Sequence, residues 1–176
     1  MPPSSAAGTP TLGRTLAQRR LRSAGTLRPC LLLIPFLTCL AHADPTLGDK
    51  WKTFQMLDAG GKTVSWKPGR VTVFSFCAYW CDTWKVQVPR LVQTQGALKG
   101  LPVDIVTIST DGRWAEVAQN NGGLTLWRDA GGDWSHKSGI DRVPTTVVLD
   151  KAGKIVFCRG GIVRRDDLIP AVQRAL

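Results

Sequence analysis

The stretch that most constrains this chain is Val71-Thr72-Val73-Phe74-Ser75-Phe76, which runs without a break into Cys77-Ala78-Tyr79-Trp80-Cys81. Its β-branched and aromatic residues describe a buried strand. From residue 82 to about 98 the period changes. Trp84, Val88, Leu91 and Val92 recur at helical spacing, with Pro89 inside the run, where a kink is expected. A buried strand that hands over to a helix, with cysteines at the junction, belongs to a layered α/β domain.

The rest of the chain fits that class. Residues 52–57 and 63–66 read as short strands around the turn signal Asp58-Ala59-Gly60-Gly61, an N-terminal β-hairpin. Residues 103–109 form another apolar strand, 114–119 a short helix, 124–127 a short strand and 133–138 a helical turn. Residues 145–149 and 154–158 read as a hairpin around Asp150-Lys151-Ala152-Gly153. An amphipathic helix over 166–176 places Leu168, Ile169, Val172 and Leu176 on one side. The order implies a mixed central sheet with helices on both faces.

The first 43 residues read differently. Arg14, Arg19, Arg20, Arg22 and Arg28 precede an apolar stretch over 31–40, and Ala41-His42-Ala43 supplies the small residues of a cleavage site before Asp44. That stretch is about half of the roughly 20 residues a spanning helix needs. The expectation is a signal peptide over 1–43 and one domain over 44–176, exported to a periplasmic or similar compartment. The membrane is a partner only if the segment stays uncleaved. Without 1–43, eighteen basic residues face thirteen acidic ones, a net charge of +5 against +10 for the whole chain. The remaining basic residues are scattered, so no nucleic-acid partner is expected. Cys77, Cys81 and Cys158 remain, an odd number for an oxidising compartment.

The junction carries the chemistry. A cysteine at a helix N-terminus meets unpaired N–H groups and a partial positive charge, both of which favour thiolate. Trp80 is adjacent to Cys81. About 60 residues later, Val143-Pro144 opens a strand in Arg142-Val143-Pro144-Thr145-Thr146-Val147-Val148-Leu149-Asp150, a place where proline is tolerated.

Phe76-Cys77-Ala78-Tyr79-Trp80-Cys81-Asp82-Thr83-Trp84-Lys85 resembles the thioredoxin-superfamily site, usually Phe-Trp-Ala-x-Trp-Cys-x-x-Cys-Lys. Gly139-Ile140-Asp141-Arg142-Val143-Pro144-Thr145-Thr146 resembles the cis-proline strand of that superfamily. The likeness covers residues 48–176, and the leader and hairpin point to the exported TlpA/ResA kind of redoxin. It implies a thioredoxin-like three-layer sandwich and a thiol–disulfide oxidoreductase acting on protein thiols or disulfides without a cofactor. Cys81 would be the attacking cysteine. Trp80, Trp84, Val143 and Pro144 would line the substrate groove.

Three positions depart from the resemblance. Trp84 stands where the resolving cysteine belongs, Cys77 where a tryptophan is common, and Ser75 where a buried carboxylate assists proton transfer. Release of a mixed disulfide then falls to an external thiol reductant, or to Cys77 as an atypical partner. Cys77 also reads as a small buried apolar residue, and Cys158 as a packing residue. Asp82 beside the sulfur opposes a thiolate, and Lys85 partly offsets it. If the site is inactive, the chain is a redox-inactive binding module that uses Tyr79, Trp80 and Trp84 to hold a protein. Cys77, Cys81, His136 and Met56 are soft enough for copper. In the copper-delivering relatives, however, the cysteines align with Cys81 and Lys85 and the histidine near Arg142, so no metal site is expected. A thiol peroxidase would need Thr or Ser at Ala78 and Pro at Phe74.

Overall fold

The computed structural model describes residues 45–176. The expected signal segment and its cleavage point at Ala43-Asp44 lie outside the described residues.

Seven strands form one sheet. They are β1 (Phe54–Asp58), β2 (Thr63–Trp66), β3 (Val71–Cys77), β4 (Val103–Ser109), β5 (Thr125–Arg128), β6 (Thr145–Leu149) and β7 (Ile155–Gly160), in the order β2-β1-β5-β4-β3-β6-β7. β3 pairs in parallel with β4 and antiparallel with β6, so the sheet is mixed, as the order of elements implies. The expected hairpins are β1–β2 and β6–β7. The first joins the sheet through β1 and β5, at Leu57 opposite Arg128 and Asp58 opposite Trp127.

Every residue of β3 is buried, because the strand is central and both of its faces are covered. Val71, Val73 and Cys77 meet Trp84, Val88 and Leu91 of helix α1 (Asp82–Ala97) and Leu168 and Val172 of helix α4 (Arg165–Ala175). Val117 of α2 (Trp114–Gln119) joins the same cluster. On the opposite face Phe74 and Phe76 pack against Trp51, Phe54 and Trp66, with Trp134 of α3 (Asp133–Lys137) completing the cover. Trp51 and Trp134 meet edge to face at 4.9 Å between centroids. With Trp127, this aromatic layer holds four of the seven tryptophans, a residue type that buries a large apolar area.

β3 ends at Cys77. Cys77 pairs with Ser109 in the parallel ladder, so this cysteine belongs to the strand and not to the turn. α1 continues through Pro89, which lies on its exposed side. In the β6–β7 turn the Asp150 carboxylate accepts the N–H groups of Ala152 and Lys154. Gly153 there adopts φ +81, and a Cβ would meet the Trp51 carbonyl oxygen at 3.0 Å, so both conformation and space call for glycine.

Candidate functional site

The site begins where β3 ends. Cys77 stops the strand, Ala78 to Trp80 turn the chain, and Cys81 caps α1 with extended backbone angles of φ −91 and ψ 101. The Cys81 N–H donates to the Ala78 carbonyl at 3.1 Å, and the Trp84 N–H donates to the Cys81 carbonyl at 3.1 Å. Two backbone bonds therefore place the sulfur at the first turn of the helix, where its dipole favours negative charge. Cys81 is buried, with 7% of its surface exposed. Its Sγ lies 3.1 Å from the Thr83 hydroxyl and 3.4 Å from the Val143 carbonyl oxygen. Thr83 is not among the candidate residues that the sequence names. Its only signal is a hydroxyl two residues into a helix that a cysteine caps.

The 143–144 segment comes to the sulfur from the other side. The Val143-Pro144 peptide bond is cis, Val143 is half-buried, and Pro144 is buried just before β6. A cleft of about 160 Å³ opens beside it, lined by Trp80, Thr110, Gly132, Ser135, Arg142 and Val143 among others. Trp80 is 68% exposed, so an aromatic face stands at the rim next to Cys81. Asp129 holds the far wall in place. Its carboxylate accepts the Trp134 and Ser135 N–H groups and the Ser135 hydroxyl, which ties down the start of α3.

Trp84 takes a different place from the one the sequence suggested. It is 1% exposed and sits in the core under α1, so its indole does not line the cleft beside Pro144. The helical spacing that puts it one turn after Cys81 also turns it toward the sheet. Cys77 likewise faces inward. It is fully buried, and its Sγ–H donates to the Ile108 carbonyl at 3.4 Å. Burial pushes this thiol far up from its ordinary range, with added repulsion from the charges of Asp111 and Cys81. Among the described residues no disulfide joins Cys77 to Cys81.

A family model described as thioredoxin-like matches residues 69–155, a span that holds both the Cys81 turn and the Val143-Pro144 bond facing it. The chain has a thioredoxin-like fold. Its structural neighbours are redoxins. A protein of Chlorobium tepidum described as thiol:disulfide interchange protein DsbE is 25% identical at a TM-score of 0.66, over 74% of this chain and 97% of that one. StoA from Bacillus subtilis is 20% identical at a TM-score of 0.58, over 73% of this chain and 98% of its own. A secreted disulfide oxidoreductase of Mycobacterium tuberculosis is 20% identical at 0.57, over 69% and 95%. At such identities the last two show the fold alone. Comparison with curated proteins finds no match.

The floor of the thioredoxin-like site is polar but has no acid. Ser75 and Thr146 are register partners on β3 and β6, both fully buried. Neither hydroxyl has a protein hydrogen-bond partner. The soft groups named from the sequence do not converge. Met56 belongs to the aromatic face of the sheet and Cys77 to the opposite one, while the exposed His136 ring meets Asp141 at 3.1 Å. Among the described residues no group of three His, Cys, Asp or Glu side chains is placed to hold a metal, and no helix is long and apolar enough to cross a membrane.

Proposed function

We propose that this protein of thioredoxin-like fold is an exported thiol–disulfide oxidoreductase that works through one sulfur, Cys81. The observation that carries the reading is the position of that sulfur. It lies at the N-terminus of α1, 3.4 Å from the Val143 carbonyl, beside Pro144 and an open cleft. The composition of residues 1–43 supports export, as does the secreted character of one structural neighbour.

The Cys81 thiolate attacks a client disulfide. A bond forms from Cys81 Sγ to one client sulfur, the client S–S bond breaks, and the second client sulfur leaves as thiolate. An external thiol, deprotonated, then attacks the mixed disulfide and releases the first client sulfur, leaving Cys81 bonded to the external sulfur. A second external thiol restores Cys81 and leaves as the oxidised external disulfide. In sum the client disulfide is reduced and two external thiols are oxidised. Cys77 takes no part in this scheme, because its buried thiol is directed at Ile108 and is held protonated.

The test is reduction of a disulfide-bonded peptide by wild type, Cys77→Ser and Cys81→Ser with a small thiol as the reductant. Cys81→Ser loses turnover, whereas Cys77→Ser keeps it within about twofold. Loss in both variants would return Cys77 to the mechanism as the resolving partner. An inert wild type would sink the oxidoreductase reading. That result would favour the second reading, a redox-inactive binding module, which draws on the large exposed Trp80 beside a thiol that is itself 7% exposed.

A further inference from the structure

The turn that carries Cys81 is gripped by a segment from the next strand. Thr110, just past β4, donates to the Cys77 carbonyl twice, from its N–H at 2.9 Å and its hydroxyl at 3.1 Å. One residue on, the Asp111 carboxylate accepts the Tyr79 N–H at 2.8 Å, across 32 residues of sequence. That carboxylate is itself aimed. Its other oxygen accepts the Arg113 N–H at 3.2 Å and the Ser109 hydroxyl at 3.3 Å. The Arg113 guanidinium lies 3.7 Å above the Tyr79 ring, and Glu116 holds the guanidinium by two bonds. So the residue two before Cys81 is held at its backbone by Asp111 and at its ring by Arg113.

We propose that Asp111 is the positioning residue that sets where the Cys81 sulfur stands relative to Val143. The inference rests on the Cys81 reading above and adds to it a residue that touches neither sulfur nor substrate. Between Cys77 and Cys81 the polypeptide has two fixed points from its own backbone, the end of β3 and the start of α1. The segment between them is a turn of three residues, and the Tyr79 N–H is directed out of it toward Asp111. A hydrogen bond to a carboxylate is among the stronger ones available to an N–H. Losing it frees the turn to rotate, and a small displacement of an attacking atom is enough to slow attack substantially. The Asp111 charge also adds to the repulsion that keeps Cys77 protonated, which is consistent with one reactive thiol at the site.

Two variants test the inference. Asp111→Ala removes both the acceptor and the charge, while Asp111→Asn removes the charge but keeps an oxygen able to accept the Tyr79 N–H. The measurement is single-turnover attack of Cys81 on a disulfide-bonded, fluorophore-labelled peptide over a range of peptide concentrations. Circular dichroism and thermal melting are recorded alongside. For Asp111→Ala the maximal attack rate falls about tenfold, the size of one charge-assisted hydrogen bond. The half-saturating peptide concentration stays within about twofold, because the cleft is untouched. Asp111→Asn recovers the rate to within about twofold, and its Tyr79 amide keeps the slow hydrogen exchange that Asp111→Ala loses. Attack by Asp111→Ala at the wild-type rate would overturn the inference. So would an equal fall in Asp111→Asn, which would assign the effect to charge. A reactive wild type with unaffected variants removes the clamp alone, whereas a wild type that does not attack at all removes the Cys81 reading and this inference with it.

Discussion

The Sγ of Cys81 meets the backbone carbonyl oxygen of Val143 at 3.4 Å, although 62 residues separate them. The carbonyl can accept only from the protonated thiol. Once the proton has left, the neighbouring donor is the Thr83 hydroxyl, 3.1 Å from the same sulfur. Replacing Thr83 by Val, which keeps the shape and removes the donor, slows Cys81 attack on a peptide disulfide about fivefold. The melting temperature stays within the scatter of wild type, because Thr83 is exposed. Stopped-flow kinetics on the two proteins checks this. An unchanged rate would remove Thr83 from the site.

The buried Cys77 thiol gives stability a pH dependence of known sign. Its folded pKa is raised above the ordinary value of 9.0, so the folded state retains a proton that the unfolded state loses. This contribution is complete below pH 9 and is lost as pH climbs toward the folded pKa. The loss approaches about 1.4 kcal/mol per pH unit. Cys77→Ala lacks that slope. Urea denaturation of both proteins at pH 7 and pH 10 reads the difference, and parallel curves would show that Cys77 ionises freely in the folded state.

Gln87 makes a long-range bond that α1 alone would not reveal. Its Oε1 accepts the buried Val163 N–H at 2.8 Å across 76 residues, just ahead of α4. Gln87→Leu keeps the volume but strands that N–H. The expected cost is about 1 kcal/mol, because the desolvation of the stranded N–H is partly offset by losing the Gln87 Nε2 group, which is buried without a partner. Equilibrium denaturation checks it. The amide of Val163 should also exchange faster in the variant.

Trp84→Cys would create a Cys-x-x-Cys spacing with Cys81, yet it empties a buried position in the main core. The loss of packing costs about 3 kcal/mol or more, as for other large-to-small substitutions of buried tryptophan. The variant is therefore expected to melt at a clearly lower temperature. Trp84→Phe, which keeps most of the volume, should lose much less. Equal melting temperatures for Trp84→Cys and wild type would contradict the burial.

Several parts of this molecule were legible in the sequence because they are local. Residues 71–76 could only be a buried strand, residues 82–98 repeated apolar residues at helical spacing, and Asp150-Lys151-Ala152-Gly153 named its own turn. Two separated motifs, around Cys81 and around Pro144, agreed on one fold, and the sheet order and the family match bear that fold out. The directions of side chains were less legible. Every residue of β3 is buried, so no alternation between apolar and polar marks which face Cys77 takes. Helical spacing alone made Trp84 a neighbour of Cys81 and left open whether the indole lined the groove or the core.

The sequence by itself determined that a cysteine would stand at the head of a helix behind a buried strand, because strand and helix each follow from residue patterns a few positions long. Only the tertiary structure decided the surroundings of that cysteine. Val143 reaches it through the pairing of β3 with β6, and Asp111 reaches its turn through the pairing of β3 with β4. Trp84 leaves the groove because α1 packs its apolar side onto the sheet. Each of these contacts joins residues that are distant in the chain. Their energy comes from packing and from hydrogen bonds that exist only after the sheet has assembled, and no short window of sequence contains both partners.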